Sequence, residues 1–389
     1  MKDINDILFH EGEDREHYFQ AISPPIIQSS NFAFPSLPEL RKMIPNEMDE
    51  YVYSRGNNPT VAILRKKMAA LAGAEDALLL GSGSAAVAAA VLSQVGAGDH
   101  IICVEKPYSW TNSLLTKYLT RFDVATSFVD ARSVENIEAA IQENTKLLLL
   151  ESPNSLTFEL QDLAACAQLA KAHGIITCID NSYTTPLFQR PIDLGIDISV
   201  HAVTKYLNGH SDVMAGAICA SKDIIRQIFN NEYMMLGAML SPHDAALVIR
   251  GLRTLPLRLQ RSHESAMQIV SYLAKHPKVT EVLYPFHPSF PQYELAKRQM
   301  SGAGGLFSVH LNLDTLEQAD AVFHRMKRFK MAASWGGHES LVLPSAAFHN
   351  IEGREDSPIP FTLFRFYIGL EDPDYLIADL EQALGAIES

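Results

Sequence analysis

Between residues 61 and 205 short apolar runs alternate with segments of helical spacing, and this alternation restricts the fold more than any other feature. "VAILRKKMAALAG" (61–73) has helical periodicity and a glycine stop, and "DALLL" (76–80) reads as a strand. A glycine-serine turn, "GSGS" (81–84), leads into the apolar helix "AAVAAAVLSQVG". The strands "HIICVE", "DVATSFVD", "KLLLLES", "IITCID" and "DISVHAVTK" follow, separated by "TNSLLTKYL", "VENIEAAIQEN" and "LAACAQLAKAHG". Continuous apolar strands spaced by helices predict an α/β fold, with a mainly parallel sheet covered on both faces.

The flanks differ from this middle. Residues 1–60, with "SPPIIQSSNFAFPSLPEL" and "RGNNPT", read as an irregular arm whose apolar side chains need a surface to pack on. Residues 61–245 form the sheet domain. Residues 246–389 read as a smaller C-terminal α/β domain. It opens with one long helix or a broken pair before Pro277. Strands are expected at "GLFSVHLNL", "MAASWGG" and "FTLFRFYIGL", and helices at "LEQADAVFHRMKRF" and "PDYLIADLEQALGAI".

Composition removes several function classes. The formal charge of −13 has no basic block, which argues against nucleic acid or an anionic membrane as partner. No basic leader precedes an apolar stretch and no apolar run is long enough to span a bilayer, so the expected location is cytoplasmic. Cys103, Cys166, Cys178 and Cys219 stand far apart, without a C-x-x-C pair, and the histidines form no H-E-x-x-H. No metal site is expected.

The glycine turn admits two chemistries, because a helix start offers unpaired N–H groups to a phosphate. Gly81, Gly83 and Ala86 satisfy G-x-G-x-x-G/A and Glu105 closes the next strand, as a dinucleotide-dependent oxidoreductase would require. The other chemistry is pyridoxal 5′-phosphate (PLP). That cofactor needs an anion cradle, an acid at the pyridine nitrogen and a lysine to bond its aldehyde. Gly81 to Ser84 supply the cradle, Asp180 ends "GIITCID", and Lys205 ends "DISVHAVTK". Ligands gather at the carboxyl ends of parallel strands, so the three can converge. Taken singly, Lys205 could be a solvated lysine and Asp180 a helix cap; taken together with the cradle they favour the cofactor.

"YVYSRGNNPT", "GSGSAA", "ESPNS", "IDNSYTTP", "TKYLNGHSDVMAGA", "RGLRTLPLRLQRSHES", "SWGGHES" and "FRFYIGLED" occur along nearly the whole chain. In that order they resemble the fold-type I PLP-dependent enzymes of cysteine and methionine metabolism, the trans-sulfuration group. The resemblance implies that Lys205 carries the cofactor and Asp180 pairs with its ring nitrogen. Ser82, Gly83, Ser84 and Thr204 would hold the phosphate, and Tyr53 and Arg55 would reach the phosphate of a neighbouring subunit. Tyr108 would stack on the ring and assist proton transfer. Arg365 and the segment around Ser334 would bind the substrate α-carboxylate, with Tyr53 also near the substrate. It implies a homo-oligomer, a dimer of subunits that share active sites, paired into a tetramer.

Departures from the family pattern bear on specificity. Val52 replaces an acid that many γ-type members carry. Ser155 stands where an asparagine is usual, with Asn154 one place earlier as a substitute, and Ala202 replaces a phosphate-binding serine. Ser155, Ala202 and "SWGG" resemble bacterial cystathionine β-lyases, whereas Ala333, Ser113, Ser84, Trp110 and the bulky Tyr367 do not. The sequence therefore favours a carbon–sulfur lyase performing β-elimination on cystathionine or a cysteine S-conjugate. The alternatives are a γ-elimination or γ-replacement enzyme, the oxidoreductase above, or a non-catalytic relative.

Overall fold

The computed structural model describes residues 2–352 and 357–387. Seven strands form the first sheet: β1 (Asp76–Leu80), β2 (His100–Val104), β3 (Ala125–Val129), β4 (Thr145–Glu151), β5 (Ile176–Asp180), β6 (Ile198–His201) and β7 (Gly216–Ala220). Their spatial order is β1-β7-β6-β5-β4-β2-β3. Pairs from β6 through to β3 are parallel, while β7 is antiparallel to both its neighbours. The sequence reading had no strand at Gly216–Ala220. The reason is the connection: a loop over residues 202–215, with no crossover helix, returns the chain antiparallel. That loop carries Lys205.

β1 runs in the same direction as β2 to β6, so the carboxyl ends of all these strands lie along one edge of the sheet. Helix α1 (Pro59–Ala72) precedes β1, and α2 (Gly83–Leu92) follows it. The first turn of α2 lies close against the sheet. A Cβ on Gly83 would sit 2.8 Å from the Cβ of Ala202, and one on Gly216 would meet the Ser82 carbonyl at 2.2 Å. The small residues of "GSGSAA" are thus needed for the close approach of helix and strand.

The predicted segment "TNSLLTKYL" is helical but irregular, passing from an α-turn (Ser109–Ser113) into a π-turn (Leu114–Tyr118). After the sheet, the long apolar segment is a broken pair, α3 (Pro242–Leu252) and α4 (Leu255–Leu273), interrupted at Arg253 and Thr254. The second sheet has the order β10-β11-β12-β9-β8. Its strands are β8 (Val279–Leu283), β9 (Leu306–Leu311), β10 (Lys330–Met331), β11 (Leu341–Pro344) and β12 (Leu363–Tyr367). The expected strand "MAASWGG" shrinks to the pair Lys330–Met331, and Ser334–Gly337 leave the sheet for the site.

Two apolar cores result. One lies under the parallel strands, with Leu78, Ile102, Leu148 and Ile198 at its centre. The other joins α1 and the opposite face of the first sheet to Phe307, Val309, Phe364 and Phe366 of the second. The start of the N-terminal arm packs on its own chain: buried Lys67 donates to the carbonyls of Ile7 and Leu8 and pairs with Glu13 at 3.1 Å. Further along, Phe19, Ile22 and Leu37 are exposed. Among the described residues no helix is long and apolar enough to cross a membrane.

Candidate active site

Glu151 and Asp180 end neighbouring parallel strands and stand opposite each other in register, and Asp180 pairs in turn with Val200. Lys205 lies in the loop beyond β6, its amide bonded to the Ala202 carbonyl at 3.0 Å. Its Nζ donates to Ser334 Oγ at 2.8 Å and lies 5.3 Å from the ring centre of Trp335. Burial, helped by the nearby Arg365 charge and opposed by Asp180, lowers the Lys205 ammonium from 10.5 to about 8. A lysine in that state is a competent nucleophile near neutral pH.

Asp180 Oδ1 accepts from the Ser182 hydroxyl at 2.5 Å and the Ser182 amide at 3.0 Å. Its other oxygen accepts from no described residue. Burial raises its carboxyl, while Ser182 and the charge of Lys205 pull it back. The apolar wall behind the two acids is built by Val87, Cys103, Leu149 and Val200.

Ser82 caps α2, its Oγ accepting from the Ala85 amide at 3.1 Å. The amides of Gly83 and Ser84, in the first turn, keep no partner among the described residues and form a cradle open to an anion. Thr204 is held elsewhere: its hydroxyl accepts from the Ala215 amide at 2.8 Å and donates to the Ala215 carbonyl at 3.2 Å. Tyr108 is partly exposed, and burial raises its phenol, against the hydroxyl of Ser84.

Arg365, on β12, is only 8% exposed. Its Nη1 donates to the Ser155 carbonyl at 3.2 Å, and no carboxylate pairs with it among the described residues. Burial lowers the guanidinium from 12.5 to about 10. A buried cation without a counter-ion is a receptor for an anion.

Other expected residues lie apart or do other work. Tyr53 is exposed and bridges to Asn31, with the Arg55 guanidinium 5.8 Å above its ring. Within one chain, neither bonds to the Lys205 group. Asn154 cannot substitute for the missing asparagine, because its Oδ1 accepts the amides of Leu156, Thr157 and Phe158. Tyr367 does not crowd the ligand side of Arg365. It is fully buried and donates to the Gly337 carbonyl at 2.6 Å, holding the "SWGG" segment. Two contacts at this site are not legible in the sequence. Glu151 looks like an ordinary strand end, and the contact of Trp335 with Lys205 spans too much chain for spacing to reveal.

The residues fit PLP: an open anion cradle, a half-buried acid with one oxygen unbonded among the described residues, and a half-buried amine of lowered basicity converge at one sheet edge. Such a sheet, with this lysine, acid and cradle, defines the fold-type I class of PLP-dependent enzymes. The comparisons specify the family. Residues 5–385 match the model for the Cys/Met metabolism PLP-dependent enzymes. The chain is 38% identical over 382 residues to the L-methionine gamma-lyase of Treponema denticola, covering 96% of this chain and 95% of that protein. It is also 38% identical over 383 residues to human cystathionine gamma-lyase, covering 97% and 92%. A solved structure described as metB from Corynebacterium glutamicum superposes with a TM-score of 0.92 at 33% identity, covering 99% of this chain and 98% of that one. The chain belongs to the Cys/Met metabolism PLP-dependent enzyme family and is a PLP-dependent lyase of the trans-sulfuration type. The dinucleotide-dependent oxidoreductase reading is thereby overturned by the PLP-dependent family.

Proposed function

We propose that the enzyme performs γ-elimination on a thioether amino acid of the methionine or cystathionine kind, releasing a thiol, 2-oxobutanoate and ammonia. The supporting observation is the set of full-length relatives at 36–38% identity, which are named L-methionine gamma-lyase or cystathionine gamma-lyase. Two of the features that suggested β-elimination are engaged within the fold. The Ser155 backbone carbonyl accepts from Arg365, and the Ala202 Cβ lies 2.8 Å from where a Cβ on Gly83 would sit.

Bound PLP supplies an electron sink conjugated to the substrate Cα. In this reading Asp180 holds positive charge at the ring nitrogen, and the Gly83 and Ser84 amides hold the phosphate. Arg365 orients the α-carboxylate with the flat fork of its guanidinium. Lys205 Nζ takes the proton from Cα and handles the one at Cβ, a task suited to a base near neutrality. Tyr108, whose phenol stays protonated, gives its proton to the departing sulfur. Tyr53 and Arg55, exposed on the arm, complete the phosphate site of a second subunit, so that the active unit is a dimer.

The test is product analysis of the PLP-loaded enzyme with methionine, cystathionine and cysteine. 2-Oxobutanoate from methionine or cystathionine is expected. Pyruvate from cystathionine without 2-oxobutanoate would return the assignment to β-elimination.

A further inference from the structure

We infer that Glu151 is a positioning residue that couples the tyrosine over the cofactor site to the arginine of the carboxylate site. The inference rests on the roles proposed for Tyr108 and Arg365. Glu151 Oε2 accepts the Tyr108 amide at 2.6 Å, and Oε1 accepts the Ser155 amide at 3.2 Å. The carbonyl of that same Ser155 receives Arg365 Nη1 at 3.2 Å. One carboxyl group thus sets the place of the ring-covering residue directly, and that of the guanidinium through the backbone of a single residue, Ser155.

The post is rigid and so is what hangs from it. Glu151 is 7% exposed and ends a strand paired on both sides. The loop after it is stiffened by Asn154, which gathers the amides of residues 156–158. The loop before Tyr108, which follows β2, is tied to the loop after β4 by Lys106, paired with Glu159 at 2.7 Å. Only a carboxylate of this length satisfies both amides. Glutamine would turn an N–H toward one of them, and aspartate falls a methylene short.

The placement is costly, which argues against a filler role. Burial, and after it the charge of Asp180, push the Glu151 carboxyl up to about 8, with the bonds to Tyr108 and Ser155 opposing only part of the rise. A residue serving only to end a strand would not need a second acid beside Asp180.

The test compares Glu151→Gln, Glu151→Asp and Arg365→Lys with Val322→Ala, a core truncation far from the site that supplies a plain loss of stability. Each PLP-loaded protein is measured for KM and kcat on the substrate that the wild type turns over best. The absorption band of the bound cofactor, the cofactor Kd of the apoprotein and the thermal midpoint are recorded alongside. Loss of one of the two amide bonds predicts a rise in KM of up to about tenfold for Glu151→Gln, with a displaced band and a weaker cofactor Kd. Glu151→Asp should recover part of each. Val322→Ala should lower the midpoint and leave KM and band unchanged. If Glu151→Gln behaves like Val322→Ala while Arg365→Lys raises KM, the coupling is refuted alone. If Arg365→Lys leaves KM unchanged, the carboxylate site is misassigned and the inference falls with it. Should Glu151→Gln fail to fold, Glu151→Asp decides: a wild-type KM and band in that variant overturn the proposal.

Discussion

Replacing Arg365 with methionine should damage function and spare or improve stability, an outcome opposite to that of most core substitutions. The guanidinium is 8% exposed and has one carbonyl and no carboxylate as partner. Holding its charge in that place lowers its pKa from 12.5 to about 10, a cost of about 3 kcal/mol to the folded apoprotein. Methionine fills similar space without charge. It forfeits the charge-assisted bond to Ser155, worth about 1.5–3 kcal/mol, so the balance runs from neutral to favouring the variant by roughly 1.5 kcal/mol. Substrate recognition moves the other way. Two charge-assisted bonds to a carboxylate are worth about 3–5 kcal/mol together, so kcat/KM should fall by about 10² to 10⁴. Denaturant midpoints of the cofactor-free proteins and steady-state kinetics of the loaded ones measure both quantities. A variant with a lowered midpoint and intact kcat/KM would refute the view that Arg365 is an unpaired cation awaiting substrate.

Other consequences follow from the same site. Because burial lowers the Lys205 ammonium to about 8, its neutral form is populated at lower pH than that of an exposed lysine. The rate at which apoprotein captures PLP should rise with pH, level off just above about 8, and not continue toward the ordinary lysine range; stopped-flow absorbance across pH reads this directly. Gly336 has φ +89°, and a Cβ there would sit 2.7 Å from the Tyr206 amide and 2.9 Å from the Lys205 Cα. Gly336→Ala should therefore displace the Lys205 loop at a cost of about 1–3 kcal/mol, read as a weaker cofactor Kd; an unchanged Kd would show the loop to be more yielding than its packing indicates.

The parallel core was legible because its strands are buried on both faces and so read as unbroken apolar runs between helices. Lys205, Asp180 and the Ser82–Ser84 turn were legible because parallel strands bring their carboxyl ends to one edge. What escaped depends on contacts between distant segments. β7 is a short apolar run whose antiparallel direction is set by the Lys205 loop. Ser334 meets Lys205 only because Gly336 permits a close approach, and Tyr367 proved to be the anchor of that segment. The sequence gives no sign that the Asn154 side chain is spent on its own loop, or that Glu151 holds two backbones. Resemblance carried the reading to the family, and at β against γ it leaned on Ser155 and Ala202, single positions that weigh less than the full-length γ-lyase relatives.

Reduction of the PLP-loaded enzyme with borohydride, followed by digestion and mass mapping, tests the central claim most directly. A pyridoxyl adduct on the peptide bearing Lys205, abolished in Lys205→Ala, is the predicted result. An adduct confined to another lysine, with the Lys205 peptide unmodified, would contradict the site as a whole.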